Sequence, residues 1–262
     1  VSMDPLAPLI DALHAEGRLR VWSLVVTVMG DAVQPRGGRI AAARLQDLLG
    51  RIGVEPGALR TALSRLVADG WLIRERNGRT SHYRLSGQGQ AEYGPAAAAI
   101  YAAPGAEPEC WTIALGDDVG GISLGGGLWL VAGNVPAEAA LAVSGALTVS
   151  AEMRETLCPP DRLATLERLA TDLDALEGAR LDPQDAMAAR IILIHRWRRI
   201  VLRHGDLPDA VLPARLSGLR SRVGTVYHAL LPTSERWLET GDAPLPAADT
   251  GLAHRFAGKP VA

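Results

Sequence analysis

The chain has 262 residues, 48% of them hydrophobic, and a formal net charge of −2. It is long enough to bury a sizeable core and to divide into two or three domains, and too acidic for a uniformly basic nucleic-acid coat. The charge is uneven. Twelve arginines and nine acidic residues leave +3 over residues 1–100, whereas fifteen basic and twenty acidic residues leave −5 over 101–262. Nucleic-acid contact therefore belongs to the first hundred residues. Cys110 and Cys158 stand alone, as buried thiols do in a reducing cytoplasm. The apolar run 21–29 falls well short of the roughly 20 residues that span a bilayer, and Asp4, Pro5 and Pro8 interrupt any leader pattern. A cytoplasmic protein with no membrane partner is expected.

In chain order, Leu6, Leu9, Ile10 and Leu13 predict an amphipathic helix within an N-terminal extension, 1–17, acting as a packing arm. Residues 18–29 fit a strand or a buried helix by periodicity alone, and their place before a helix-turn-helix makes them the first helix. The run 31–38 reads as a turn-rich loop in which Arg36 and Gly37-Gly38 let the backbone approach phosphate. Ile40, Leu45, Leu48, Leu49 and Ile52 share one face of a second helix over 39–52. A short connection, 53–56, leads to a third. There Leu59, Ala62, Leu63, Leu66 and Val67 form the apolar face, and Arg60, Thr61, Ser64 and Arg65 the opposite one. Pro56 suits the first turn of that helix and Gly70 its left-handed end.

The next run, 71–84, reads as a hairpin turning at Asn77-Gly78 and carrying Arg74, Arg76, Arg79, Thr80 and Arg84. Either element alone would pass for a solvated face. The order helix, turn, helix, basic hairpin predicts a winged helix-turn-helix DNA-binding domain over 18–85. Its third helix enters the major groove while the hairpin holds phosphates.

Residues 86–105 read as a linking helix with Tyr93, Ile100 and Tyr101 at helical intervals. From 106 to 156 short strands are expected at 110–115, 128–131 and 146–151. Residues 157–241 read as helical. Leu163, Leu166, Leu169, Leu173 and Leu176 mark one helix up to Gly178. Met187, Ile191, Ile194, Trp197 and Val201 mark a second up to Gly205, and a third covers 216–238. The Pro- and Ala-rich tail, 242–262, is expected to be loose. The fold class is α+β.

The runs 23–38, 59–72 and 77–89, with 195–213 and Val226-Tyr227 near the other end, resemble the PaaX family of transcriptional repressors. That resemblance implies three parts: an N-terminal winged helix-turn-helix, a small ferredoxin-like α+β middle domain and a helical C-terminal domain. It also implies a homodimer on a double-stranded DNA operator of a catabolic operon such as that for phenylacetate. An acyl-CoA such as phenylacetyl-CoA, or a related aromatic catabolite, would release it, with no catalysis and no cofactor. Only about a dozen Gly-rich residues separate the first two expected middle strands, too few for the family's helix there, so the middle domain should be abbreviated. Arg196, Arg199 and Arg203, at i, i+3 and i+7, make a cationic stripe. It is either a salt-bridged face or an effector-binding anion site for the acyl-CoA.

Two other readings stand beside this one. Gly121-Ile122-Ser123-Leu124-Gly125 matches the GxSxG elbow of serine hydrolases, with Asp182 or Asp185 and His195 downstream. The elbow needs a helix after its serine, and here more glycines and a strand-like LWLV follow. The other reading is a sensor or scaffold that keeps the winged fold without binding DNA. No Walker loop follows the glycines, the six histidines form no ligand set, and Asp117-Asp118 reads as a solvated turn rather than a metal clamp.

Overall fold

The computed structural model describes residues 4–17, 19–105, 107–204 and 208–257. Residues 1–3 of the extension, Arg18 at the expected start of the first domain, Gly205 at an expected helix end and the last five residues of the tail lie outside them. The fold is α+β, with two small antiparallel sheets. In chain order the elements are α1 (Ala7–Ala15), α2 (Val21–Val28), β1 (Arg39–Ala41), α3 (Ala42–Arg51), α4 (Pro56–Ala68), β2 (Leu72–Asn77), β3 (Thr80–Leu85) and α5 (Gly87–Ile100). Then follow β4 (Trp111–Leu115), β5 (Ile122–Gly125), β6 (Leu128–Ala132), β7 (Leu141–Gly145), α6 (Ala151–Leu157), α7 (Pro160–Leu176), α8 (Pro183–His204) and α9 (Leu219–Glu239). They divide into two compact units. The first comprises 1–103, 171–203 and 220–262, and the second 104–170 and 204–219.

In the first unit Leu24, Val25 and Val28 of α2, Leu45, Leu48 and Leu49 of α3, and Leu59, Leu63 and Leu66 of α4 are buried, as their helical spacing requires. Gly53 and Gly70, at φ +85° and +77°, end α3 and α4. In both, two backbone N–H groups fold back on the last turn: Gly53 to Gly50 and Val54 to Leu49, then Gly70 to Val67 and Trp71 to Leu66, at 2.9–3.1 Å. This paired closure is the Schellman motif, and it sets the angle at which α4 leaves α3 and the hairpin leaves α4. A Cβ on Gly53 would also lie 2.9 Å from His14 Nε2.

Several expectations are corrected. The run 31–38 is no loop. Helix α2 passes into a π-helical turn, Met29–Val33, and a 3-10 turn, Gln34–Arg36, before Gly37 and Gly38 break it at positive φ. Met29, Ala32 and Val33 are buried there, so packing overrides the turn composition. Residues 39–41 belong to β1, paired with β3, rather than to a helix. The hairpin pairs Asn77 with Thr80, which makes Gly78-Arg79 the two-residue turn. Glycine, at φ +58°, takes the first central position, where a positive φ is needed. The described part of the tail is packed: Leu245, Leu252, Arg255 and Phe256 are buried, and Asp249 N–H donates to Pro35 O at 2.7 Å.

In the second unit the sheet order is β5-β6-β4-β7, antiparallel throughout. Strands β5 and β7 escaped the sequence reading because Gly-rich ISLG and small-residue LAVSG carry little periodic signal. The strand expected at 146–151 is absent. Residues 146–150 are irregular, and Ser150 caps α6, its Oγ accepting from Met153 N–H at 3.2 Å. Trp111, Leu130, Leu157 and Val211 form the core of this unit, with Ile122, Leu147 and Val149 against it.

Candidate nucleic-acid interface

One side of α4 and the hairpin that follows it carry most of the exposed arginines of the first unit's N-terminal part, Arg20 and Arg39 being exposed elsewhere. Arg60, Thr61, Ser64 and Arg65 are all exposed, opposite the buried Leu59, Ala62, Leu63 and Leu66. Arg74, Arg76, Arg79 and Thr80 are exposed on the hairpin. Among the described residues Arg60, Arg76 and Arg79 have no ion-pair partner, so their guanidinium groups are available to an anion. Arg65 lies 3.5 Å from Asp69, but both are well exposed and such a pair is weak. Arg74 donates to Ser81 Oγ across the hairpin at 2.8 and 3.1 Å, and Thr61 Oγ1 donates back to Gly57 O at 3.0 Å.

The hairpin is braced at its base. Glu75 on β2 pairs with Arg84 on β3 at 2.5 Å and with Arg39 on β1 at 3.2 Å. The Arg84 hydrogen bond, ahead of the charge of Arg39, holds the Glu75 carboxyl below its usual range. Arg39 was missed as a contributor because 39–52 read as one helix; the alternation in Arg39-Ile40-Ala41 was the available signal.

Arg36 is placed elsewhere. It is buried, its Nε donates to Glu235 at 2.7 Å, Nη2 to Glu239 at 2.8 Å and Nη1 to Pro246 O at 2.7 Å. It sits in an interior charge network centred on Asp31, a fully buried residue of the π-helical turn. Asp31 Oδ2 meets Arg190 Nε at 2.7 Å, and Oδ1 accepts from Arg255 at 2.8 Å, Tyr101 at 2.7 Å and Tyr227 at 3.0 Å. Arg190 also pairs with Glu235. Burial, and then the charge on Asp31, push the Tyr101 hydroxyl far above its usual range, so it stays a donor. A single buried carboxylate would be costly; the two guanidinium groups around it compensate its charge, and Arg255 and the two phenols donate hydrogen bonds to Oδ1. The network ties the turn after α2 to α8, α9 and the tail.

The stripe on α8 divides in the same way. Arg196 is buried and pairs with Asp172 at 2.7 Å and Glu16 at 2.6 Å, whereas Arg199 and Arg203 are exposed. Burial outweighs the attraction of Arg196 and raises the Asp172 carboxyl to about 6. Arg199 lies 3.3 Å from Glu16 and lines a groove of about 800 Å³ with Arg20, Arg65, Thr61 and His195. His195 Nδ1 is 3.1 Å from Thr27 Oγ1. Burial, reinforced by Arg198, Arg199 and Arg196, lowers its pKa to about 3 and keeps the ring neutral.

The hydrolase constellation is not assembled. Ser123 lies inside β5, and after Gly125 the chain turns into β6 without the helix an oxyanion hole needs. Asp117 and Asp118 are exposed. Among the described residues no group of three or more His, Cys, Asp or Glu side chains is placed to hold a metal, and no helix is long and apolar enough to cross a membrane.

The chain is 29% identical to "Transcriptional repressor PaaX" of Escherichia coli (strain K12), with 90% of each chain covered. Among solved structures, "Uncharacterized protein Rv0674 from Mycobacterium tuberculosis" is 20% identical, with 82% of this chain and 97% of that one covered and a TM-score of 0.48. Residues 20–89 match the family model described as PaaX-like protein, and 162–240 match that of the PaaX-like protein C-terminal domain. The first match takes in α2 through the basic hairpin and the second α7, α8 and α9; together they span more than half of the sequence, and the chain belongs to the PaaX-like family of transcriptional repressors, which are not enzymes.

Proposed function

We propose that this protein is a cytoplasmic DNA-binding repressor that acts as a homodimer on a two-fold operator. Residues 18–85 serve as its winged helix-turn-helix, α4 as the helix in the major groove and the β2-β3 hairpin as the wing. The observation that carries this reading is the division among arginines. Among the described residues Arg60, Arg76 and Arg79 stand exposed without an ion-pair partner on two consecutive elements, while Arg36 is held inside by Glu235 and Glu239. Arg60, Thr61, Ser64 and Arg65 then face base edges and phosphates, and Arg74, Arg76, Arg79 and Thr80 the flanking backbone. Arg36 drops out of the interface.

The rest follows the expected division: an extension over 1–17, a linking helix over 86–105, an abbreviated ferredoxin-like domain over 106–156, a helical domain over 157–241 and a tail over 242–262. The strand order of the middle sheet supports that assignment. Its first and third strands are central neighbours, as in a split βαβ arrangement, with loops of six and eight residues where the helices would run. Release by an acyl-CoA such as phenylacetyl-CoA completes the reading. Of the expected effector residues, Arg203 is exposed, Arg199 is exposed but shares Glu16 at 3.3 Å, and Arg196 is buried and neutralised by Asp172 and Glu16.

The test is fluorescence anisotropy of a duplex from the promoter beside the protein's own gene, across a salt series, with and without phenylacetyl-CoA. Tight, salt-sensitive binding released by the thioester is the expected result. Binding no tighter than to random duplex would remove DNA from the reading and favour a sensor or scaffold.

A further inference from the structure

Three exposed arginines that lie far apart in the sequence line one groove. Arg20 precedes α2, Arg65 lies on α4 and Arg199 on α8, and together with Trp22 they border the cavity of about 800 Å³ in the first unit. All four side chains are exposed, Trp22 at 40%. The floor of the groove carries no charge. Leu13, Ser23, Ala62 and His195 are buried there, and burial keeps the histidine ring neutral. Among the described residues of the lining the one carboxylate is Glu16, which lies closer to the buried Arg196, at 2.6 Å, than to Arg199, at 3.3 Å. Arg20 has no ion-pair partner among the described residues.

One wall of the groove is α4 itself, through Gly57, Ala58, Thr61 and Arg65. Gly57 and Ala58 lie in the first turn of that helix, where Glu55 at the N-cap makes no side-chain cap and the leading N–H groups have no acceptor within the helix. We propose that the groove seats the phosphate backbone beside the major groove that α4 enters, with Arg20, Trp22 and Arg199 holding phosphates alongside Arg65. The inference rests on the DNA reading above and deepens it: the footprint passes beyond the winged helix-turn-helix to α8, in the acidic part of the chain. Two observations favour a duplex over a small anion. First, a site for a small anion gains most where its cations are shielded from water. Here the guanidinium groups stand exposed at the rim over an uncharged floor, as contacts to a rod of charge lying across the surface require. Second, the groove shares Thr61 and Arg65 with the side of α4 assigned to DNA, so the two surfaces are continuous. The indole N–H of Trp22 adds a donor for a phosphate oxygen. On this assignment Arg199 serves DNA rather than the effector.

The test measures duplex binding by anisotropy across a salt series for the wild-type chain, Arg20→Ala and Arg199→Ala, with Arg236→Ala as the control. Arg236 is an exposed arginine of α9 that lies outside the groove. Each groove substitution should lower the slope of log K against log salt by about 1 to 2 per dimer, so that an approximately fourfold rise in salt weakens the variant about 4- to 16-fold less than the wild type. At low salt the loss of affinity should be the same on promoter and random duplex, because phosphates carry no sequence. The control should keep the wild-type slope. All three positions are exposed, so far-UV circular dichroism should be unchanged. Groove variants with the wild-type slope would overturn the proposal; if they also cease to respond to phenylacetyl-CoA, the groove belongs to a small anion instead. The DNA reading fails separately. A wild type that ignores duplex DNA sinks both, whereas tight, salt-sensitive wild-type binding with unaltered groove variants sinks this inference alone.

Discussion

The exposed arginines of α4 and the hairpin and the buried arginines around Asp31 are the same side chain put to opposite uses. Among the described residues Arg60, Arg76 and Arg79 are exposed with no ion-pair partner, so an anion arriving there would displace only water and counterions. Arg36, Arg190 and Arg255 each have at least one carboxylate within 2.8 Å and sit where solvent does not reach. A guanidinium already neutralised by buried carboxylates has nothing left to offer DNA. What separates the two groups is whether the fold supplies an acid, and that depends on residues some 160 to 220 positions away in the chain, such as Arg190 and Arg255 for Asp31.

Substitutions can break this contrast from either side. The largest effect is expected inside. Asp31→Asn leaves Arg255 without a carboxylate and Arg190 with Glu235 alone, and should cost about 3 to 5 kcal/mol of stability, read from the urea midpoint. A loss below about 1 kcal/mol would mean that the network contributes packing rather than charge compensation.

A smaller effect concerns the neutral histidine among arginines. Its folded-state pKa, about 3, lies below the ordinary 6.5. The unfolded chain therefore takes up a proton that the native state refuses, and stability falls as pH drops from about 6.5 towards 3. By pH 5 the loss amounts to about 2 kcal/mol. His195→Gln should flatten this part of the pH–stability curve, measured by urea unfolding at several pH values. An unchanged curve would show that His195 binds a proton in the folded protein.

The smallest effect on stability belongs to the surface. Arg79→Ala should change unfolding by no more than about 0.5 kcal/mol. It should also lower the slope of log K against log salt for duplex binding by about 1 to 2 per dimer. Arg36→Ala should do the reverse, destabilising the fold while leaving that slope alone. If Arg79→Ala leaves the slope intact, the hairpin has no part in binding phosphate.

Much of the first unit was legible in its residues. The 3.6-residue spacing of Leu59, Leu63 and Leu66 marks α4 and its outward face, because burial of a helix face is a local pattern. Gly53 and Gly70 mark its limits for an equally local reason, a backbone angle that other residues avoid. The second unit was far less legible. Its strands β5 and β7 are short, uncharged and rich in Gly, Ala and Ser, so nothing in them alternates strongly enough to declare a strand. They exist because β4 and β6 offer them hydrogen bonds.

The sequence by itself determined the α+β class, the family resemblance, the order of helices before the basic hairpin, and which side of α4 faces out. Each of these is carried by neighbours within a turn or two, or by composition. Only the tertiary structure decided that Arg36 and Arg196 are interior residues, that 31–36 continues a helix, and that 242–257 packs rather than dangles. Those outcomes turn on partners distant in the chain. Burial of a charge is tolerated only where such a partner arrives, and no local pattern records its arrival.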